Sequence, residues 1–389
     1  MKLLCLCYEY PPIGGGGAPA CEGLARALVE AGHRVVVVTS KMKHLPAFER
    51  RAGVDIHRVR CLRRSAHRTT AFELATWSFA ALRKASELAK TGDFDLIHAH
   101  FIVPGGAVAH RLSQRTGLRY VLTAHGTDVP GYNADRMKAL HVLLRPYWRT
   151  IVHGASAVTA PSRFLGDLIR RCSRAEPVVI PNPLDFPVAP ARPRQARVLL
   201  VSRMLARKGV QHLIEVAPRL PGDWEVVVAG DGPHLPRLRS QADRIGARVR
   251  FLGMVPRDRL PELYASAEIF VLPSSRENFP MVLLEAMASG CAVVTTRGSG
   301  CEEVVGDAAL LVRAGRSEEL LEALRELIDN EVARHRLAER AQRRAASFSA
   351  PTVADQFACL FRSLRTQDDD RQRRQATTSS ETTREESTA

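Results

Sequence analysis

The chain has 389 residues, 45% apolar and 25% charged, which suits two globular domains of similar size and excludes collagen-like, largely disordered and disulfide-stapled classes. Lys and Arg outnumber Asp and Glu by 56 to 41, and this +15 charge first points to nucleic acid or an anionic membrane. The longest stretch without a charged residue, Leu96 to His110, has 15 residues, so no segment can span a bilayer as a helix. The apolar start, Leu3–Cys7, is too short for a signal-peptide core, and a cytoplasmic protein is expected. Eight cysteines without a CxxC pair fit free thiols in a reducing compartment.

Strands are predicted at Lys2–Cys7, Arg34–Thr39, Asp95–Ala99, Tyr120–Ala124 and Ala157–Ala160. Runs such as Val35–Val38 are apolar throughout, as in strands buried on both faces of a parallel sheet. Helical patterns alternate with them at Ala18–Ala31, Phe72–Lys90 and Ala134–Arg149, which predicts a doubly wound α/β domain over residues 1–185. Five prolines between Pro181 and Pro193 mark a linker. The alternation restarts at Val198–Ser202, Glu225–Ala229, Val249–Leu252, Ile269–Leu272 and Ala292–Thr295, giving a second Rossmann-like domain over residues 186–350. Successive amphipathic helices follow to Arg365, and the polar residues 366–389 are expected to be disordered.

Three segments could carry chemistry. Gly14-Gly15-Gly16-Gly17 lies between a strand and a helix, where backbone can approach an anion closely. It fits neither the dinucleotide fingerprint nor the P-loop. Arg203 and Lys208 flank the end of a predicted strand, and two cations there could neutralise a diphosphate. The third segment, Pro273–Gly290, reads strand, loop, helix, with Pro280 suited to the first helical turn and Gly290 to its end. The helix start at Phe279, Pro280, Met281 and Val282 offers N–H groups to phosphate. Glu277 sits in the loop, while Glu285 lies among Leu283, Leu284, Ala286 and Met287 and needs a partner or a ligand such as ribose hydroxyls.

With its Glu277-x7-Glu285 spacing, the chain resembles the retaining glycosyltransferases of the GT-B fold, family 4. Further motifs carry the resemblance in order: the glycine loop with Gly32-His33-Arg34-Val35, Asp95–His100, Ala124–Asp128, Ile180–Asp185, Ser202-Arg203 with Lys208-Gly209, Ala229–Pro233 and Phe251–Gly253. Ser299, Gly300 and Glu303 stand where the family has Gly-Gly-x-Pro-Glu, and they depart from it at Ser299 and at the missing Pro. The resemblance implies two domains facing across a cleft, with a helix over 351–365 packing back on the first. It implies transfer of a hexose-type sugar from a UDP-, GDP- or other nucleotide-linked donor to a saccharide or lipid-linked acceptor, with retention and without a metal or resident cofactor. Cell-envelope or extracellular polysaccharide or glycolipid synthesis is the setting it suggests. Arg203 and Lys208 would hold the diphosphate, Gly15 or Gly16 would close on it, and Glu285 would hold the ribose. Glu277 would face the transferred sugar, and His125 would stand near sugar and acceptor.

The charge is uneven. Residues 1–185 hold 26 basic and 14 acidic side chains, while residues 186–389 hold 30 and 27. Residues 50–68 carry seven Arg against Asp55 alone, which fits either a solvated loop or an anionic acceptor at the inner face of a membrane. No aromatic platform or zinc spacing supports nucleic-acid binding. Asp93-Phe94-Asp95 matches an Asp-x-Asp metal pattern but opens a strand, so no metal is expected there. The rival readings are a sugar-nucleotide epimerase of the same fold and a basic nucleic-acid binder.

Overall fold

The computed structural model of the chain describes residues 1–15, 17–66, 69–132, 138–190 and 193–366. Gly16, Arg68 and the tail expected to be disordered, from 367 onward, lie outside the described residues.

The first sheet contains β1 (Lys2–Leu6), β2 (Arg34–Lys41), β3 (Phe48–Arg51), β4 (Val54–Arg60), β5 (Leu96–His100), β6 (Tyr120–Thr123), β7 (Ala157–Ala160) and β8 (Val178–Val179). Its order is β3-β4-β2-β1-β5-β6-β7-β8, and every pair except β3–β4 is parallel. The second sheet contains β9 (Gln195–Val201), β10 (Glu225–Ala229), β11 (Val249–Gly253), β12 (Ala267–Leu272), β13 (Ala292–Thr296) and β14 (Leu310–Val312). It is parallel throughout, in the order β11-β10-β9-β12-β13-β14. Along β9, Val198 and Leu200 enter one core while Leu199 and Val201 enter another, so the strand is buried on both faces, as its unbroken apolar run requires.

The strand order reverses between β1 and β5 in the first sheet, and between β9 and β12 in the second. Loops leaving the C-terminal ends of strands beside such a reversal form a crevice. The glycine loop follows β1, the Arg203–Lys208 loop follows β9 and the Glu277 loop follows β12. The helix over 350–366 lies against the first domain, where Val353, Phe357 and Phe361 join its core.

The first part of the arginine-rich stretch is a strand pair, and two arginines of the stretch are buried. Residues 48–60 form an antiparallel hairpin, β3–β4, turned by Ala52 and Gly53 at positive φ. Arg58 is buried against Glu49 at 2.8 Å. Arg63 is buried too, and it donates to the carbonyls of Tyr8, Ser65 and Ala66, each at 3.0 Å. Asp95 of the Asp-x-Asp pattern accepts from the Lys2 backbone at 2.6 Å and lies 3.5 Å from Arg365, so its carboxylate closes the N-terminal edge of the sheet.

Candidate active site

The two loops at the reversal of the second sheet bring Lys208 and Glu277 together. Lys208 Nζ lies 2.6 Å from Glu277 Oε1, and both side chains are nearly buried. Gly209 follows in the left-handed region, and any Cβ there would overlap the Pro273 carbonyl, so glycine lets the Lys208 loop lie against the end of β12. Arg207, unremarked in the sequence, lies 3.6 Å from the same Glu277 oxygen and donates to the Arg276 carbonyl at 3.0 Å. Arg203 is exposed in the loop after β9.

The helix after Glu277 runs from Met281 to Ala288, with Pro280 as the residue before its first turn rather than within it. The N–H groups of Phe279, Met281 and Val282 have no partner among the described residues. Such groups at a helix start favour an anion. Glu285 is buried on this helix. Its Oε2 accepts from the Tyr264 hydroxyl at 2.9 Å, and its Oε1 lies 3.4 Å from Arg257. Burial pushes its carboxyl up, and Arg257 and the Tyr264 bond oppose that rise. The burial expected from its apolar neighbours holds, and two side chains from elsewhere in the domain supply the partners. Tyr264→Phe removes one of them. We expect it to lower stability by about 1.5–3 kcal/mol in a urea melt, the cost of a lost buried hydrogen bond to a charged group.

In the first domain His125 stands after β6. Its Nε2 lies 3.1 Å from His100 Nδ1, and its backbone N–H donates to Asp128 Oδ1 at 3.0 Å. Phe101 packs on its ring. A Cβ on Gly17 would come within 3.3 Å of His125 Nδ1, so the glycine loop and His125 share one end of the crevice. Burial pushes the His125 imidazole down to about 4, so it is neutral at pH 7. Behind it, ligand atoms of Cys21, His100 and His125 lie within 4.8 Å of one another, and so do those of Cys5, His98 and His100. Asp93 and Asp95 form no such group among the described residues.

The glycine loop is held from its own side. Gly15 N–H donates to Glu9 Oε2 at 3.0 Å, and Gly14 N–H donates to the Ala66 carbonyl at 2.9 Å. A phosphate on Gly15 therefore has to replace the Glu9 carboxylate.

Residues of the Glu277 loop, together with Glu303, join the domains. Asn278 Nδ2 donates to the His125 carbonyl at 3.2 Å, and its Oδ1 accepts from the Ser162 hydroxyl at 2.7 Å. Arg276 Nη1 donates to the Tyr132 carbonyl at 2.9 Å. Glu303 accepts from the backbone N–H groups of Arg163 and Phe164, at 2.6 and 2.7 Å, at the start of the Arg163–Ser173 helix. Gly300 N–H donates to the Glu277 carbonyl at 3.0 Å, and a Cβ there would overlap the Asn278 carbonyl. The segment that departs from the family pattern thus braces the Glu277 loop. Gly300→Ala is expected to cost about 3 kcal/mol through this overlap. A lower thermal midpoint together with weakened nucleotide binding would be the signature; an unchanged midpoint would contradict the packing.

Two family models cover almost all of this framework: "Glycosyltransferase Family 4" matches residues 14–186 and "Glycosyl transferases group 1" matches residues 183–344. The chain belongs to the family 4, group 1 glycosyltransferases. Among its relatives is the glycogen synthase of Mycobacterium tuberculosis, 31% identical over 93% of this chain and 94% of that protein. The solved sucrose-phosphate synthase from Thermosynechococcus elongatus superposes with a TM-score of 0.79 at 22% identity, covering 94% of this chain and 99% of the other. Anabaena HepE, solved in complex with UDP and glucose, superposes with a TM-score of 0.73 at 20% identity, covering 93% of this chain and 100% of the other. The two parallel-sheet domains are those of the GT-B fold. Among the described residues, no helix of this glycosyltransferase is long and apolar enough to cross a membrane.

Proposed function

We propose that the chain transfers a hexose-type sugar from a nucleotide diphospho-sugar to a saccharide or lipid-linked acceptor, with retention and without a metal ion. The observation that carries this reading is the meeting of Lys208 and Glu277 at the strand-order reversal, beside a helix start with unpartnered N–H groups. A cation and helix N–H groups are what a departing diphosphate needs. Arg203 and Arg207 add positive charge to the same loop. Glu277 bonds the hydroxyls of the transferred sugar, and Glu285 exchanges Arg257 for the nucleotide ribose. His125, neutral and beside Gly17, contacts sugar or acceptor. The glycine loop, through Gly15 or Gly16, closes on the phosphates. Anabaena HepE holds UDP and glucose on a similar fold, which supports a nucleotide donor here. A polysaccharide or glycolipid product at the inner face of a membrane fits the basic first domain.

A thermal-shift panel of UDP, GDP, ADP and their sugars, run in excess chelator, tests this reading. Stabilisation by one nucleotide diphosphate is the expected result. No shift with any of them would count decisively against it.

A further inference from the structure

Beside the C-terminal ends of β2 and β4 lies a cavity of about 680 Å³. Lys41, Lys43, Arg60 and Arg64 line it. None of these four side chains has an ion-pair or hydrogen-bond partner among the described residues, whereas Arg50, Arg51, Arg58 and Arg63 nearby are all paired. Lys41 and Arg60 stand directly opposite one another in the parallel β2–β4 ladder. Like charges in that position repel. The acid lining the cavity, Glu73, is fully engaged by its own capping bonds. Its Oε1 accepts from the Arg64 N–H at 2.9 Å, and its Oε2 accepts from the Thr70 N–H at 2.7 Å and from the Thr70 hydroxyl at 3.0 Å. Glu73 is thus committed to the helix cap, and no described carboxylate pairs with any of the four cations.

The cavity also has an apolar rim. Leu62 and Phe72 line it and are 58% and 68% exposed. Its wall is tied to the crevice already described. Arg63 donates to the Tyr8 carbonyl, and the Ala66 carbonyl accepts from Gly14 of the glycine loop.

We propose that this cavity binds the phosphate or diphosphate group of the acceptor, with an apolar part of the same molecule lying on Leu62 and Phe72. The inference rests on the transferase reading and adds the chemical class of acceptor to it. An anion between Lys41 and Arg60 relieves their repulsion and holds the acceptor on the same sheet end as the glycine loop. A bound phosphate could belong to a lipid or to a soluble sugar phosphate, and the test separates the two.

Isothermal titration of the full chain, with saturating amounts of the nucleotide that stabilises it best to fill the donor site, uses dodecyl phosphate below its micelle concentration, inorganic pyrophosphate, and dodecyl maltoside as the uncharged control. The Lys41→Ala/Arg60→Ala double variant is expected to bind dodecyl phosphate at least tenfold more weakly. Its melting temperature should be unchanged or higher, because a like-charged pair is removed. Its affinity for the nucleotide that stabilises the chain best should stay within twofold. Arg64→Ala is the second variant, expected to weaken dodecyl phosphate several-fold. An alkyl chain that adds tenfold or more over pyrophosphate assigns a lipid-linked acceptor; equal binding, lost in the variant, assigns a soluble one. No binding of either anion, binding that both variants leave intact, or equal binding of dodecyl maltoside overturns the proposal. A wild-type chain that binds dodecyl phosphate but no nucleotide is the separate failure of the transferase reading.

Discussion

Lys208→Ala is expected to lower donor turnover by about 10²–10³-fold, the usual cost of removing one group that stabilises charge developing in a transition state. The Lys208 ammonium sits 2.6 Å from Glu277 at the end of β12, where a departing diphosphate would gather negative charge. The same substitution removes a partner from a carboxylate that is only 8% exposed. An orphaned buried charge costs roughly 3–5 kcal/mol. Arg207 remains 3.6 Å from that carboxylate, so a loss of about 1–2 kcal/mol is the expected outcome. Turnover should therefore fall more than stability. Hydrolysis of the donor sugar nucleotide reports the first quantity and a urea melt the second. The Lys208→Ala/Glu277→Gln double variant should recover stability relative to Lys208→Ala without recovering turnover. Unchanged hydrolysis in Lys208→Ala would defeat the leaving-group assignment.

Lys208 and Glu277 were legible as candidates because each lies in the loop after a run of apolar residues that reads as a buried strand, and such loops are where α/β sheets bind ligands. Their partners were not. Arg207 differs from its many neighbouring arginines only in where the turn before Gly209 aims it. Tyr264 and Arg257 reach Glu285 from 21 and 28 residues away, across a packing that no local pattern encodes. Nothing local marks Asn278 within the Pro273–Gly290 segment, yet its amide reaches across to Ser162 and to the His125 carbonyl of the first domain.

The fold shows the same division. Strands that read as continuous apolar runs, such as β2 and β9, were placed within two to three residues of their ends. The β3–β4 hairpin escaped because its alternation is written with arginine. In Val54-Asp55-Ile56-His57-Arg58-Val59-Arg60 the buried positions include Arg58, which Glu49 neutralises from the neighbouring strand. A buried arginine breaks the apolar period that marks a half-buried strand, and only the paired acid makes its burial tolerable. The short strands β8 and β14 fall below the length at which periodicity carries a signal.

The stability of the first domain is expected to fall steeply between pH 6.5 and 5. Cys5, on β1, stands beside His98 on β5, and His98 stacks on His100 and packs against Phe357 and Phe361. Burial pushes the His98 imidazole down to about 3 and His125 to about 4, and it holds His100 well below the usual range as well. In the unfolded chain all three titrate near 6.5. Below that pH the unfolded state takes up protons that the folded state refuses, so stability is full above 6.5 and is lost as pH falls toward 4. At pH 5 His98 contributes a loss of about 2 kcal/mol, and His100 and His125 add losses of the same sign. Even the first is a large fraction of the net stability of a typical domain. His98→Phe keeps an aromatic ring against Phe357 and Phe361; it gives up the 2.7 Å contact of His98 Nε2 with Thr123 Oγ1 and leaves Thr123 bonded to Thr159 Oγ1 at 2.8 Å. Between pH 7.5 and 5 this variant should lose about 2 kcal/mol less than the wild type in urea unfolding. Equal losses in the two chains would show that His98 does not carry its share of the acid sensitivity, and would place the origin outside the buried imidazole stack.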